Sequence, residues 1–107
     1  MAKTREVAME YVGKFQELID NFDSVTCAAC DCMGRINGMN ANIRPESKPI
    51  RMAGCALTAK TVGTDLSAVI YAVENALPGD FIVVDTHGCV NSAYWGENVC
   101  LSAINKG

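Results

Sequence analysis

The run at residues 80–85, DFIVVD, constrains the fold more than any other part of the sequence. It leaves the Pro78-Gly79 turn, carries four consecutive apolar residues and ends on Asp85, with His87 and Gly88 just beyond. An apolar run with no polar interruption predicts a strand covered on both faces, as in a parallel sheet. Upstream, IRMAGCALTAKTV (residues 50–62) predicts one strand, or two broken at Gly54, ending near Val62. Between them, Gly63-Thr64-Asp65 turns the chain into a helix with Thr64 or Asp65 as N-cap. Leu66, Val69, Ile70, Val73 and Leu77 lie on that helix's buried face. Two parallel strands joined by a crossover helix are the expected geometry, so the fold class is α/β. In open sheets of this class ligands bind beyond the carboxyl ends of the strands, which directs attention to Asp85 and the loop after it.

The flanking segments predict helices. Val7, Tyr11, Phe15, Leu18 and Phe22 recur at intervals of three and four and form one face of an amphipathic helix, with Thr4 as a plausible cap. Residues 21–24 end it and cap a second, short helix over about residues 25–33, with Gly34 at its C′ position. RINGMNANIRPESKP is a connector, because Asn37-Gly38 is a turn signal and Pro45 and Pro49 exclude regular helix. After His87-Gly88 a last helix runs to about Asn105, starting somewhere between Ser92 and Gly96. With 107 residues and no repeats or low-complexity stretch, residues 1–107 are expected to be a single domain.

Charge narrows the function. The net charge is only -3 and the nine basic residues are scattered, which argues against binding to a nucleic-acid backbone. The opening MAKTREVAME has no apolar core of a signal peptide, and no apolar run approaches the ~20 residues of a membrane span. A cytoplasmic location without membrane contact is expected. Six cysteines would suit a disulfide framework only in an oxidising compartment. CAACDC (residues 27–32) offers three sulfurs on a helical segment and no second Cys-x-x-Cys to close a tetrahedral metal site, although His87 is available as a fourth ligand. Cys55 and Cys100 stand among Ala, Gly and Leu, where a free Cys acts as a small hydrophobe. Reduced, packed cysteines are the expectation.

The junction before the last helix carries the candidate chemistry. A helix starting beyond a strand's carboxyl end directs free N–H groups and a partial positive charge into the crevice. Gly96 permits close approach to the backbone, and Glu97 adds a carboxylate in the first turn. A Gly-Glu pair also opens many ordinary helices, an Asp such as Asp85 often ends strands and caps turns, and a single loop His is more often a bystander than a catalyst.

Taken in order, AGCALTAKTV, ALPGDFIVVD and AYWGENVCLSAINKG resemble the regulator of ribonuclease E activity A (RraA) family, from about Asp31 to Gly107. That family includes 4-hydroxy-4-methyl-2-oxoglutarate/4-carboxy-4-hydroxy-2-oxoadipate aldolases, and some members carry an older label as demethylmenaquinone methyltransferases. The resemblance implies a swivelling β/β/α-type domain assembled as a homo-oligomer, trimer or hexamer, with sites in clefts between subunits. It implies that the amides of Gly96, Glu97, Asn98 and Val99 hold the carboxylate of a small 2-oxo acid. It also implies that Glu97 reaches a divalent Mg or Mn ion through water only. Asn98 stands where the family usually has Leu. The catalytic Arg and metal-binding Asp belong to a Gly-x-Val-Arg-Asp motif that would begin after Gly107. The expectation is therefore the N-terminal part of a domain incomplete at its C-terminus, associated with further copies of itself or with its missing C-terminal portion.

Three functions follow as expectations. The first is part of a metal-dependent class II pyruvate aldolase or oxaloacetate decarboxylase acting on 4-hydroxy-2-oxo dicarboxylic acids, a lyase once the domain is assembled and inactive as this chain alone. The second is a non-catalytic, protein-binding regulator of ribonuclease activity. The third is a redox or metal module built on CAACDC.

Overall fold

The computed structural model describes residues 2–107, with side chains from Thr4 onward. Its elements in chain order are α1 (Ala2–Asn21), α2 (Val25–Cys32), β1 (Cys55–Lys60), α3 (Ser67–Asn75), β2 (Asp80–Asp85) and α4 (Glu97–Ile104). The chain divides into two compact units, one ending at Ala53 and the other spanning Gly54–Gly107.

In the first unit α1 already begins at Ala2, so Thr4 lies inside the helix and does not cap it. The apolar face is the bare one: Val7, Tyr11, Leu18 and Phe22 join Phe15, the best covered of the five at 43% exposure. The half-buried face is Ala8, Val12, Gln16 and Ile19. The extended residues before Gly54 explain the difference. The Gln16 side chain accepts the Ala53 N–H at 3.0 Å, and Ile19 shares a small hollow with Ile50, Arg51 and Met52. Arg51 in turn donates to Asp23 Oδ1 at 3.2 Å and to the Phe22 carbonyl. Within this unit the returning chain therefore runs beside the Gln16 face and leaves the aromatic stripe uncovered. Helix α2 ends where the sequence predicts, with Met33 as C-cap and Gly34 left-handed at φ 76°. Residues 35–54 contain no strand or helix.

The second unit holds the strand–helix–strand motif. β1 and β2 pair in parallel, from Cys55 opposite Asp80 to Lys60 opposite Asp85, and the Thr61 N–H extends the ladder to the Asp85 carbonyl at 2.9 Å. The upstream strand starts only at Cys55, because Gly54 sits against β2. A Cβ there would meet Phe81 Cδ2 at 2.0 Å, so no side chain fits where the backbone passes the ring. Helix α3 packs on the sheet and buries Val69, Ala72 and Val73 almost completely. Leu66, Ile70 and Leu77, predicted for the same face, are 40% to 51% exposed. The reason is width: a sheet of two strands underlies only the central line of a helix. The same narrowness corrects the reading of β2. Ile82 and Val84 share one half-buried face, while on the other Phe81 is half-buried but Val83 is exposed, so the second face is covered only at the start of the strand. Pro78-Gly79 closes α3 as expected, with the Leu77 N–H held by the Asp80 carboxylate at 2.9 Å. Among the described residues no helix is long and apolar enough to cross a membrane.

Candidate functional site

The turn from β1 into α3 is tightly self-bonded. Thr61 is buried, and its hydroxyl donates to the Asp65 carbonyl. Gly63 is left-handed at φ 59°. Of the two N-cap candidates, Asp65 does the capping: its Oδ1 accepts the Ser67 N–H at 2.9 Å, one residue before the formal cap Leu66. That bond holds the Asp65 carboxyl below its usual pKa.

The strand β2 ends in a compact turn. Asp85 Oδ1 accepts the His87 N–H at 2.9 Å, and His87 is itself left-handed at φ 56°. His87 Nδ1 lies 4.0 Å from Asp85 Oδ2. The Cys89 N–H donates to the Thr86 carbonyl at 3.1 Å, and the Thr86 hydroxyl returns to the Cys89 carbonyl at 3.3 Å. Asp85 is thus occupied in ordering its own turn. Cys89 is half-buried at the start of the loop that leads to α4. Hydrogen bonding to its thiolate form, by Tyr94 foremost and then by the Asn91 N–H and by Ser92, holds the Cys89 thiol below its usual pKa, and the same interaction raises that of Tyr94. In the structure the Tyr94 hydroxyl donates its one proton to the carbonyl of Gly63, 31 residues away.

Helix α4 begins at Glu97, the residue after Gly96, whose extended backbone (φ -136°, ψ -175°) makes it the N-cap. No side chain caps this end, so the first-turn N–H groups are available to a ligand. Space above Gly96 is open: a Cβ built there would meet nothing within 4 Å. The helix start forms one wall of a hollow of about 350 Å³, lined by Leu66, Ala93, Tyr94, Trp95 and residues 96–99. All four sequence-predicted residues, Gly96, Glu97, Asn98 and Val99, are therefore brought together. Asp85 and His87 do not line this hollow. Leu66, Ala93, Tyr94 and Trp95 are additions that sequence reasoning did not single out. The sequence pattern puts Leu66 on the packed face of α3, and residues 93–95 stand out in it only as part of the AYWGE block.

The six cysteines are free thiols. Cys27 and Cys32 are exposed and Cys30 is half-buried. On a helix five residues turn by about 140° from where they began, so Cys27 and Cys32 point to different sides. Among the described residues no three His, Cys, Asp or Glu side chains are grouped to hold a metal ion. Glu97 offers one carboxylate at the hollow, which is too small a donor set for a divalent ion. The residues present therefore do not by themselves fit a metal site.

A family model described as RraA-like: Aldolase/RraA matches residues 26–107. No curated protein and no solved structure matches the chain.

Proposed function

The chain belongs to the RraA-like, Aldolase/RraA family, and from that premise we propose that it supplies the carboxylate-binding half of a pyruvate aldolase or oxaloacetate decarboxylase site. The observation that carries the reading is the hollow at the uncapped start of α4, which gathers Gly96, Glu97, Asn98 and Val99 on one wall. The substrate class is a 4-hydroxy-2-oxo dicarboxylic acid, bound by the carboxylate next to its 2-oxo group.

The physical argument rests on three features of this wall. Unpaired N–H groups at a helix start donate to an anion, and the helix dipole adds a favourable field. Gly96 lets the carboxylate approach without a side chain in the way. Glu97 opposes that anion by like-charge repulsion, an arrangement that makes sense when a cation lies between the two carboxylates. A divalent Mg or Mn ion, reached by Glu97 through water and completed by donors from elsewhere, would supply that charge and Lewis-acid chemistry at the 2-oxo group. Since the residues here do not hold such an ion by themselves, its remaining donors and the substrate-binding Arg come, in this proposal, from polypeptide other than these 107 residues. The swivelling β/β/α arrangement and a trimeric or hexameric assembly with sites between subunits belong to the same proposal.

The test is a pyruvate titration of the uniformly ¹⁵N-labelled chain. Saturable shifts of the Glu97, Asn98 and Val99 amides, with a dissociation constant on the order of millimolar, are expected for a cradle of amides without its cation. If those amides do not move, the carboxylate-binding reading fails, and the regulatory branch of the family becomes the better description.

A further inference from the structure

We propose that Tyr94 is a positioning residue of the carboxylate cradle, fastening the loop that leads into α4 to the turn between β1 and α3; this rests on the carboxylate-binding reading above. The hollow has two walls from distant parts of the sequence. Leu66 comes from the turn after β1, and residues 93–99 come from the loop and the first turn of α4. The first wall is anchored: Thr61 is buried, bonded to the Asp85 carbonyl through its N–H and to the Asp65 carbonyl through its hydroxyl. The second wall has no comparable anchor in its backbone. Among the described residues, no backbone–backbone hydrogen bond starts from an N–H of residues 90–96 outside the helices and strands.

What ties the two walls is the Tyr94 side chain. Its hydroxyl donates to the Gly63 carbonyl, on the anchored turn, across 31 residues of chain. Tyr94 stands two residues before Gly96, so the position of its ring limits where the amides of Glu97, Asn98 and Val99 point. A cradle of N–H groups favours an anion to the extent that it is held in place before the anion arrives. The hydroxyl therefore acts on affinity through the backbone, without touching the ligand.

The experiment compares wild type with Tyr94→Phe, which keeps the half-buried ring and deletes only the oxygen. Pyruvate titration followed at the ¹⁵N amides of Glu97, Asn98 and Val99 is expected to give a dissociation constant raised roughly tenfold, the effect of losing one hydrogen bond that orders the site. Mass-resolved alkylation of Cys89 against pH supplies a second readout. Loss of the Tyr94 hydroxyl, the first cause of the lowered Cys89 pKa, is expected to move the midpoint upward, toward the ordinary thiol value. An unchanged pyruvate affinity in Tyr94→Phe overturns the positioning role whether or not the Cys89 midpoint moves, while the carboxylate-binding reading stands. If the wild type itself shows no pyruvate-dependent amide shifts, both fall together, and the Cys89 profile then reports only a local contact.

Discussion

Two residues show how a single backbone position governs the second unit. At Gly54 the space that a Cβ needs is filled by the Phe81 ring, and the Gly79 carbonyl lies 3.0 Å from the same point. Gly54→Ala is expected to cost about 1–3 kcal/mol through forced movement of the ring, read as a lower urea midpoint with an unchanged slope. Asp65 gives a pH-dependent case. Its Ser67 bond lowers the carboxyl pKa in the folded chain, so the unfolded chain binds more protons in the acid range. The contribution is thus fully present above the unfolded value near ~4 and is lost as pH falls through the lowered folded value. Asp65→Asn is expected to flatten the acid limb of thermal stability against pH while leaving the neutral limb parallel to wild type. Identical acid limbs in the two proteins would rule this cap out as a contributor.

At the scale of elements, the pattern of burial is set by what each helix or strand has to lie against. Helix α3 is apolar over a broad face, yet only Val69, Ala72 and Val73 are buried, since two strands give it a narrow floor. Val69→Ala is expected to destabilise by about 2 kcal/mol, and Ile70→Ala, half-exposed one residue away, by under about 1 kcal/mol. Guanidinium denaturation of the two variants side by side checks the order; equal losses would mean that Ile70 is covered in solution. Helix α1 makes the complementary point. Its 3.6-residue period was legible from Val7 to Phe22, but the chain returning through Arg51 and Ala53 lies beside Gln16 and Ile19.

For the whole molecule the governing fact is a parallel sheet of only two strands. Each strand has one neighbouring strand, so each has an outer edge with no partner strand among the described elements. Two-stranded sheets are marginal alone, and exposed edges invite pairing. Within the second unit Tyr71, Val83, Leu101 and Ile104 also remain exposed, from 41% at Val83 to 68% at Tyr71. Self-association at micromolar concentration is therefore expected in sedimentation equilibrium. A monodisperse monomer with a cooperative thermal transition would show that these residues close their own core.

The sequence by itself determined what is local. Apolar periods set by covalent geometry mark the helices, and Gly34, Pro78 and Gly79 stop α2 and α3 within a residue or two of the predicted ends. The strand–helix–strand order makes the parallel pairing of β1 and β2 readable, because a crossover helix is the short route between parallel neighbours. The motif blocks led to the family, and they led to Gly96, Glu97, Asn98 and Val99 as a group. Tertiary structure decided which apolar faces are covered, since a period states that a face is apolar and says nothing about the neighbour that reaches it. It also decided that Leu66 and Trp95 share a hollow and that Tyr94 meets Gly63 across 31 residues of chain. Such meetings depend on how the turn after β1 and the loop after β2 are brought side by side by the sheet, and no local spacing encodes them.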